Sequence, residues 1–246
     1  KVNLKGVGSN LMDHLEVYLQ YQCSHDSLQT KLTYFNKLLI GIQWLLFRTG
    51  LGATNHFEAA GFIKSKATKT YPDIQFHFLP VALSYDGVTS PDTTTNNSFQ
   101  LHVGCNRSKS RGEVLINSSN INKQPNVNFN YMSDPEDWTD IRRAVRLARE
   151  VIKQPIFNDQ YSPIEVTPGY DQTSDEQIDK WLKEHLESAY HPCGTCKMGN
   201  PETDEYAVVN HKGQLIGAQG IRVIDSSIFP TIPNGNLNAP TIMTAE

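Results

Sequence analysis

A histidine and two closely spaced cysteines share the segment ESAYHPCGTCKMGN, and each group can do chemistry. His191 stands two residues before Cys193, and Cys196 completes a Cys-x-x-Cys pair. Imidazole has an ordinary pKa of about 6.5, so the neutral ring accepts a proton at about pH 7. Two thiols can instead bind a metal or cycle between dithiol and disulfide. Either the histidine or the cysteine pair is therefore the working group.

The spacing argues against a metal or redox role for the cysteines. A structural zinc site needs four ligands, and the other cysteines, Cys23 and Cys105, do not form a second pair. A c-type haem motif has its histidine after the second cysteine, whereas His191 precedes the first. A thioredoxin-like dithiol belongs to a βαβ pattern, which the sequence does not contain. We predict no metal site. From the residues alone, a turn histidine held before Pro192 stays an alternative.

Composition limits the classes of protein and partner. The chain has 246 residues, of which 38% are hydrophobic and 20% charged, and its formal net charge is −4. These values are typical of a globular protein with one large or two small domains. Without a basic excess, we predict no nucleic-acid partner. The chain begins at Lys1 without a signal pattern and ends in APTIMTAE, where a predicted helix has barely begun. We therefore expect a piece of a longer protein.

Hydrophobic periodicity and capping residues predict antiparallel strands and helices. Asp134 and Pro135 open one predicted helix, and Ser174 caps another. We predict that FQLHVGCN and GEVLIN pair with each other and that Val88–Ser98 is a polar loop. The other predicted strands are LEVYLQYQC, FEAAGFI, DIQFHFLPVAL and a buried IRVIDSSIFP, and the other helices are residues 33–48 and NLNAPTIMTAE. This pattern indicates an α+β fold, an antiparallel-sheet substrate-binding domain with flanking helices.

The most apolar segment, NKLLIGIQWLLFRTG at residues 36–50, has two interpretations. It is too short to span a bilayer, and Gln43 interrupts it. One interpretation is a helix in the core or between domains. The other is an interfacial helix, flanked by Lys37 and Arg48, that lies on a membrane surface.

Several segments, in the same order along the chain, resemble those of one enzyme family. They are GVGSNLMDHLEVYLQ, GATNHFEAAGFI, GEVLIN, NFNYMSDPEDW, SAYHPCGTCKMG and GIRVIDSSIFPTIPNGNLNAPTIM. They resemble the glucose–methanol–choline (GMC) family of flavin oxidoreductases, and most closely its choline-oxidising dehydrogenases. The resemblance implies FAD as the cofactor. The family's strand–GxGxxG–helix motif is missing here, because GVGSNL lacks the third glycine and no strand precedes it.

The resemblance also implies how the chain divides into domains. Residues 1–57 would belong to the FAD-binding domain and the interdomain joint, and residues 58–188 to the substrate-binding domain. Residues 189–246 would carry the active site and complete the α/β FAD-binding domain, whose dinucleotide motif is missing.

The activity implied is FAD-dependent oxidation of a primary alcohol, choline to betaine aldehyde. Electrons would pass to a quinone-linked acceptor rather than to NAD. The resemblance further implies a mitochondrial location with possible association with the inner membrane. Two alternatives stay open: a GMC enzyme for another alcohol, and a non-catalytic substrate-binding fragment that holds no flavin.

The resemblance assigns two groups to the chemistry and three to the substrate. His191 would take the hydroxyl proton, and the amide of Asn238 would hold the oxygen; a simple helix cap is the alternative for Asn238. Glu58, with Phe57 and Tyr190, would receive the trimethylammonium group, which has no N–H donor and is recognised by charge and aromatic faces. A solvated strand glutamate is the alternative for Glu58.

Two further segments are implied to contact the flavin. Asp225 and Ser226 would follow its linker, while Ala239, Pro240 and Thr241 would lie near its pyrimidine edge. Reduced flavin is anionic there, and a helix N-terminus stabilises negative charge. Ordinary turn and cap chemistry is the alternative for these residues. Asp13-His14 is assigned a structural role near the interdomain joint.

Overall fold

A computed structural model describes residues 2–83 and 97–246 of the chain. Residues 84–96, which hold most of the predicted polar loop, lie outside the described part. The chain forms two compact units that are discontinuous in sequence. The histidine unit contains Lys1–Leu15, Cys105–Ile141 and Glu187–Glu246, and the sheet unit contains Glu16–Gly104 and Arg142–Leu186. The assignment of residues 1–57, 58–188 and 189–246 to cofactor and substrate domains stays a prediction.

The described chain contains both strands and helices. The strands are β1 (Leu15–Gln22), β2 (Ala59–Ile63), β3 (Ile74–Leu79), β4 (Ser98–Cys105), β5 (Glu113–Leu115), β6 (Asn126–Asn128), β7 (Ile164–Thr167) and β8 (Glu187–Ser188). The helices are α1 (Leu28–Lys31), α2 (Tyr34–Phe47), α3 (Pro135–Ile152), α4 (Pro155–Tyr161), α5 (Asp175–His185) and α6 (Asn238–Ala245). Short 3₁₀ turns span Leu51–Ala53 and Ser226–Ile228.

The sheet unit is built on strands in the order β2-β3-β4-β1-β7. β2 pairs with β3, and β1 with β7, in antiparallel register. Alternate side chains of β1, including Val17, Leu19 and Tyr21, are buried, as expected where one face of a strand packs on a core. Helix α5 buries Ile178, Trp181 and Leu182. The structure confirms the predicted α+β fold with an antiparallel sheet.

A buried ion pair lies in the core of the sheet unit. Both oxygens of the Glu165 carboxylate accept hydrogen bonds from Arg149, with the shortest Nη2–Oε1 distance at 2.7 Å. The guanidinium also donates from Nη1 to the carbonyl of Gln172 and from Nη2 to that of Gly169. Tyr21 Oη donates to Glu165 at 3.3 Å, and burial is the main cause that raises the pKa of this phenol. Every charged group of the cluster therefore has partners inside the unit.

Predicted helix starts agree with the structure. Ser174 caps α5 in a reciprocal capping box with Gln177. Asp134 Oδ1 accepts from the backbone N–H of Glu136 at 2.8 Å, at the start of α3. Local capping chemistry thus fixes where both helices begin.

Two strand predictions are wrong. β5 pairs with β6 rather than with β4, because both edges of β4 are already occupied, by β3 and β1. IRVIDSSIFP is not a buried strand. Ile221 and Ile224 are exposed by 51% and 42%, and Arg222 makes only an isolated bridge to Gln214. Ile228 and Phe229 at the end of the segment are buried, but Ser226–Ile228 form a 3₁₀ turn rather than a strand.

Candidate functional site

The loop that carries His191 is bonded to two other segments of the histidine unit. Cys193 exchanges both backbone hydrogen bonds with Met12, each at 2.9 Å. On the other side, Gly194 N–H and Cys196 N–H donate to the carbonyls of Ser226 and Ser227. Asp225 caps that turn by accepting from Ser227 N–H at 2.8 Å. These bonds hold the histidine loop at defined positions on both sides.

Asp13 fixes the backbone of the histidine itself. Its Oδ1 accepts from His191 N–H at 3.0 Å, and its Oδ2 accepts from the hydroxyls of Tyr131 and Ser188. The carboxylate is only 3% exposed. Ser188 Oγ in turn accepts from the N–H of Tyr190, a residue with φ of 61° that bulky side chains rarely adopt. A buried, charge-assisted network thus supports the residue before His191 as well as His191.

The imidazole of His191 contacts a second histidine. The Nδ1 atoms of His191 and His14 are 3.0 Å apart, and the two rings meet edge to face. His14 Nε2 lies 3.2 Å from the carbonyl oxygen of Asn106 and 3.0 Å from that of Pro233. Burial, followed by the nearby His191, lowers the pKa of His14 to about 4, so His14 is neutral near pH 7.

The outer nitrogen of His191 meets an amide. Asn236 Nδ2 lies 3.3 Å from His191 Nε2, and the side chain of Asn236 is exposed. The family resemblance predicted that Asn238, two positions later, supplies the amide that holds the substrate oxygen. Asn238 is exposed and is the first residue of α6, and Leu237 occupies the cap position, so the capping alternative for Asn238 is wrong. The role of Asn238 as an oxygen holder stays a prediction.

The cysteines lie in an environment that keeps their thiols protonated. Cys193 is buried, and desolvation raises the pKa of its thiol to about 12. Burial also raises the pKa of Cys196. Both are free thiols, and among the described residues no group of His, Cys, Asp and Glu is arranged to hold a metal ion. Reactive thiols require a lowered pKa, so these environments favour packing over redox chemistry.

The expected cation residues of the sheet unit lie at the start of β2. Glu58 is exposed and precedes the strand, and its Oε1 accepts from Thr54 Oγ1 at 3.1 Å. The neighbouring His56 has φ of 66°, and its Nδ1 lies 3.3 Å from the same hydroxyl. Phe57 packs edge-on against the rings of His77 and His102. Tyr190 belongs to the histidine unit and is 74% exposed.

A second carboxylate in the sheet unit was not predicted. Glu16 on β1 is 12% exposed at its side chain, and its Oε1 lies 3.3 Å from Nδ1 of His102 on β4. The ring of Tyr18, two residues along β1, packs on His102 at 4.0 Å between centroids, and Phe57 contacts the same imidazole. The alternation of β1 could have indicated Glu16, because it places Glu16 and Tyr18 on the face opposite the buried Val17 and Leu19.

An apolar cavity of about 730 Å³ lies in the sheet unit. Its walls are mainly aromatic and aliphatic side chains of β2, β3, β4 and α4, and Glu58 stands among the lining residues. The cavity has few polar groups to orient a ligand.

The two glycines of GVGSNL have a packing role in the histidine unit. A Cβ on Gly6 would lie 1.9 Å from the carbonyl oxygen of Tyr206, and one on Gly8 would lie 2.0 Å from that of Val114. Gly8 also has φ of 83°, which favours glycine. Close backbone contacts therefore explain both glycines, and a nucleotide phosphate is not needed to explain them.

Comparison with known protein families assigns the chain to one family. Residues 108–245 match the family model described as GMC oxidoreductase. The chain belongs to the GMC oxidoreductase family. This result confirms the resemblance seen in the sequence, together with FAD as the cofactor of the family.

Curated relatives are about half identical to this chain over the aligned residues. It is 54% identical over 242 residues to an oxygen-dependent choline dehydrogenase of Brucella ovis, covering 98% of this chain and 43% of the relative. It is 51% identical to the enzyme of that name from Photobacterium profundum, covering 100% of this chain and 43% of the relative. The chain thus spans less than half the length of these relatives. Because they are bacterial, the expectation of a mitochondrial location is wrong.

Solved structures confirm the fold. A formate oxidase of Aspergillus oryzae aligns with a TM-score of 0.87 at 21% identity, covering 100% of this chain and 47% of that chain. Pyridoxine 4-oxidase from Mesorbium loti aligns with a TM-score of 0.81 at 21% identity, covering 99% of this chain and 43% of that chain.

Proposed function

We propose that this protein is an FAD-dependent choline dehydrogenase that oxidises choline to betaine aldehyde. The observation that carries the proposal is the histidine pair, in which the buried His14 contacts the half-buried His191 and leaves His191 Nε2 beside an exposed amide. Relatives that are 51–54% identical over the aligned residues bear the name oxygen-dependent choline dehydrogenase. Because the chain spans less than half of those relatives, the activity is proposed for the whole protein.

Residues of the histidine unit fit the flavin end of the cofactor. Helix α6 begins two residues after Asn236, and the cap residue Leu237 makes no side-chain hydrogen bond to the first turn. The backbone N–H groups of Asn238 and Ala239 would hold the anionic pyrimidine edge, followed by Pro240 and Thr241. A helix N-terminus stabilises such charge by roughly 0.3–1 kcal/mol. Asp225 and Ser226 would lie along the linker. The close-packed Gly6 and Gly8 do not fit the nucleotide end.

The chain's own part of the reaction is proton removal and orientation. FAD, when bound, supplies the acceptor for the hydride that leaves the alcohol carbon. His191 takes the hydroxyl proton on Nε2, and an amide next to that nitrogen donates a hydrogen bond to the substrate oxygen. Asn236 contacts His191, and Asn238 lies two residues later at the start of α6. Both are candidates for that amide.

The first test is the His191→Ala variant of the full-length holoenzyme. Loss of a general base typically lowers the rate by about 10²- to 10⁴-fold. The measurement is the anaerobic rate of flavin reduction by choline over a range of pH. His211→Ala, an exposed histidine of the same unit, is the control and should keep the normal rate. If His191→Ala kept its rate and pH profile, the base assignment would be wrong.

A matched pair of variants separates the two amides. Asn236→Ala is expected to lower the rate of flavin reduction more than Asn238→Ala, because the amide of Asn236 contacts Nε2. The reverse order would return the oxygen-holding role to Asn238.

Cation recognition has two candidate carboxylates. Glu58 follows from the family resemblance, with Phe57 and Tyr190. Glu16 is favoured by its low exposure and by the rings of Tyr18 and His102 around it, because cation attraction grows with desolvation. Glu58→Gln and Glu16→Gln should be compared on choline and on its uncharged isostere 3,3-dimethylbutanol. The carboxylate that binds the cation is the one whose loss weakens choline binding and leaves the isostere unchanged.

The same pair of substrates tests the rival function, oxidation of another alcohol. Equal turnover of choline and 3,3-dimethylbutanol by the unmodified enzyme would show that the site does not select for positive charge, and it would remove the proposed role of the cation-binding carboxylate. Selectivity for choline would instead support a site that recognises positive charge.

The electron acceptor is proposed to be a quinone, as expected for the family's dehydrogenases. The name of the bacterial relatives specifies oxygen dependence for those proteins. Reoxidation of the reduced holoenzyme should therefore be timed with a soluble quinone and with dissolved oxygen. A faster reaction with oxygen would overturn the quinone proposal.

Helix α2 supports peripheral contact with an anionic membrane surface. It buries none of its described side chains within the chain, and its exposed residues include Phe35, Trp44 and Phe47. Lys37 and Arg48 flank the apolar residues, and the helix contains no acid. Among the described residues, no helix meets the length and hydropathy needed to cross a bilayer. Co-sedimentation with anionic vesicles should be lost in the Phe47→Asp variant. Absence of binding by the unmodified protein would exclude the contact.

A further inference from the structure

We propose that His14 is a positioning residue that fixes the proton of His191 on Nδ1 and so makes Nε2 the basic atom. The proposal rests on the proposed function for its catalytic meaning. Its geometric content, the tautomer of one ring, concerns the protein without substrate and can be measured separately.

The argument begins with the inner contacts of His14. Its Nε2 lies within hydrogen-bond distance of two carbonyl oxygens, those of Asn106 and Pro233. A carbonyl can only accept, and proline has no backbone N–H to offer. His14 Nε2 must therefore carry a hydrogen, which it shares between the two oxygens.

The second step is the charge of His14. The ring is 4% exposed, and its pKa is lowered to about 4, chiefly by burial and then by the neighbouring His191. The ring is therefore neutral near pH 7. A neutral imidazole that carries hydrogen on Nε2 has a lone pair on Nδ1.

The third step transfers this constraint to His191. Its Nδ1 lies 3.0 Å from His14 Nδ1, and because His14 can only accept there, His191 must donate. The neutral His191 ring then holds its hydrogen on Nδ1 and accepts on Nε2. The contact with Asn236 agrees, since Nδ2 of that amide is a donor and faces Nε2 at 3.3 Å. The two carbonyls thus set the His191 tautomer through His14.

The tautomer of His191 decides whether the ring can accept a proton during alcohol oxidation. When Nε2 takes the hydroxyl proton, His191 Nδ1 keeps its hydrogen bond to His14, so no other proton has to move. The same ring in the opposite tautomer would present N–H to the alcohol and could not accept its proton. A wrong histidine tautomer in a Ser–His–Asp triad lowers kcat by about 10⁴-fold.

The test compares two substitutions at His14 in the full-length holoenzyme. His14→Phe removes the acceptor and should lower the rate of flavin reduction by about 100-fold or more, with little change in the dissociation constant for choline. His14→Asn offers an amide oxygen near the former Nδ1 and should recover most of that rate. Equal losses in the two variants, or no loss in His14→Phe, would overturn the proposal.

A spectroscopic measurement reads the tautomer without any reaction. The protein is labelled with ¹⁵N-histidine, and the His191 resonances are identified as those missing from the spectrum of His191→Ala. In the substrate-free protein these resonances should show Nδ1 protonated and Nε2 unprotonated. His14→Phe should lose this pattern and His14→Asn should keep it. Protonation on Nε2 in the unmodified protein would refute the inference. The expected pattern in a protein that fails to oxidise choline would refute the proposed function and leave the inference intact.

A variant outside the core covers the case in which His14→Phe does not fold. Asn236→Asp is on the surface and replaces a donor to Nε2 with an acceptor. If Nε2 is the basic atom, the new carboxylate favours its protonated form and shifts the pH profile of flavin reduction to higher pH. An unchanged profile would contradict the assignment of Nε2.

Discussion

The two units each contain a buried polar network, and the networks differ in where they end. In the sheet unit, Arg149, Glu165 and Tyr21 bond to one another and to backbone carbonyls, so all partners lie inside the unit. In the histidine unit, Asp13 and His14 hold His191, whose Nε2 reaches an exposed amide. A closed network can only stabilise a fold, whereas a network that ends at a surface atom can act on another molecule.

The networks also differ in charge. The sheet unit neutralises a carboxylate with a guanidinium in bidentate contact, which compensates for desolvation. The histidine unit keeps a neutral imidazole next to another imidazole, and burial lowers the pKa of the inner ring. A neutral acceptor can receive the His191 hydrogen without holding a permanent charge next to it. This difference favours proton handling in the histidine unit and rigidity in the sheet unit.

The largest expected effect on stability comes from removing the guanidinium of Arg149 from the closed network of the sheet unit. Arg149→Met leaves the buried Glu165 carboxylate without its cation, and breaking a buried pair in this way costs about 3–5 kcal/mol. The free energy of unfolding in urea measures this loss in the full-length protein. The double variant Arg149→Met/Glu165→Met should recover most of it, because both charges are then absent. A double variant as unstable as the single one would contradict the purely structural role.

The next largest effect is a pH dependence of the unfolding free energy, caused by His14 in the network of the histidine unit. His14 has a folded pKa of about 4, below its ordinary value of about 6.5. The unfolded chain therefore binds a proton that the folded chain rejects between these values. Stabilisation from the neutral ring is complete above about pH 6.5 and is lost as the pH falls toward 4, by roughly 3 kcal/mol in total.

The measurement is the difference in unfolding free energy between the unmodified protein and His14→Asn. That difference should shrink by about 2 kcal/mol between pH 7.5 and pH 5, since only the unmodified protein has the titrating ring. His211→Asn serves as the control at an exposed position of the same unit. A constant difference across this range would show that burial does not lower the pKa of His14.

Local signals predicted much of the secondary structure, whereas the role of His191 was predicted from the family resemblance. The alternation of LEVYLQYQC and the caps at Ser174 and Asp134 depend on neighbouring residues, so they can be read from the sequence. The pairing of β5 and the exposure of Ile221 depend on which strand edges are already occupied, which neighbouring residues do not reveal.

The partner of His191 was unpredictable for the same reason. His14 lies 177 residues away along the chain, and only the fold brings the rings together. On the other side of His191, the start of α6 separates Asn236 from Asn238 and leaves the amide of Asn236 next to the ring. The family resemblance predicted the amide of Asn238, whereas the amide beside His191 in the structure is that of Asn236. The oxygen-holding role stays a prediction for both residues.

The smallest expected effect tests whether the difference between the units is confined to their networks. Ser174→Ala in the sheet unit and Asp134→Ala in the histidine unit each remove a helix cap, and each should cost about 1 kcal/mol of unfolding free energy. Flavin reduction should stay normal in both, because neither residue belongs to either network. A slower reaction in Asp134→Ala would mean that stability and proton transfer are coupled through the backbone of the histidine unit. Equal, small losses of unfolding free energy with a normal reaction rate would indicate that the two units differ in their buried networks and not in their helix caps.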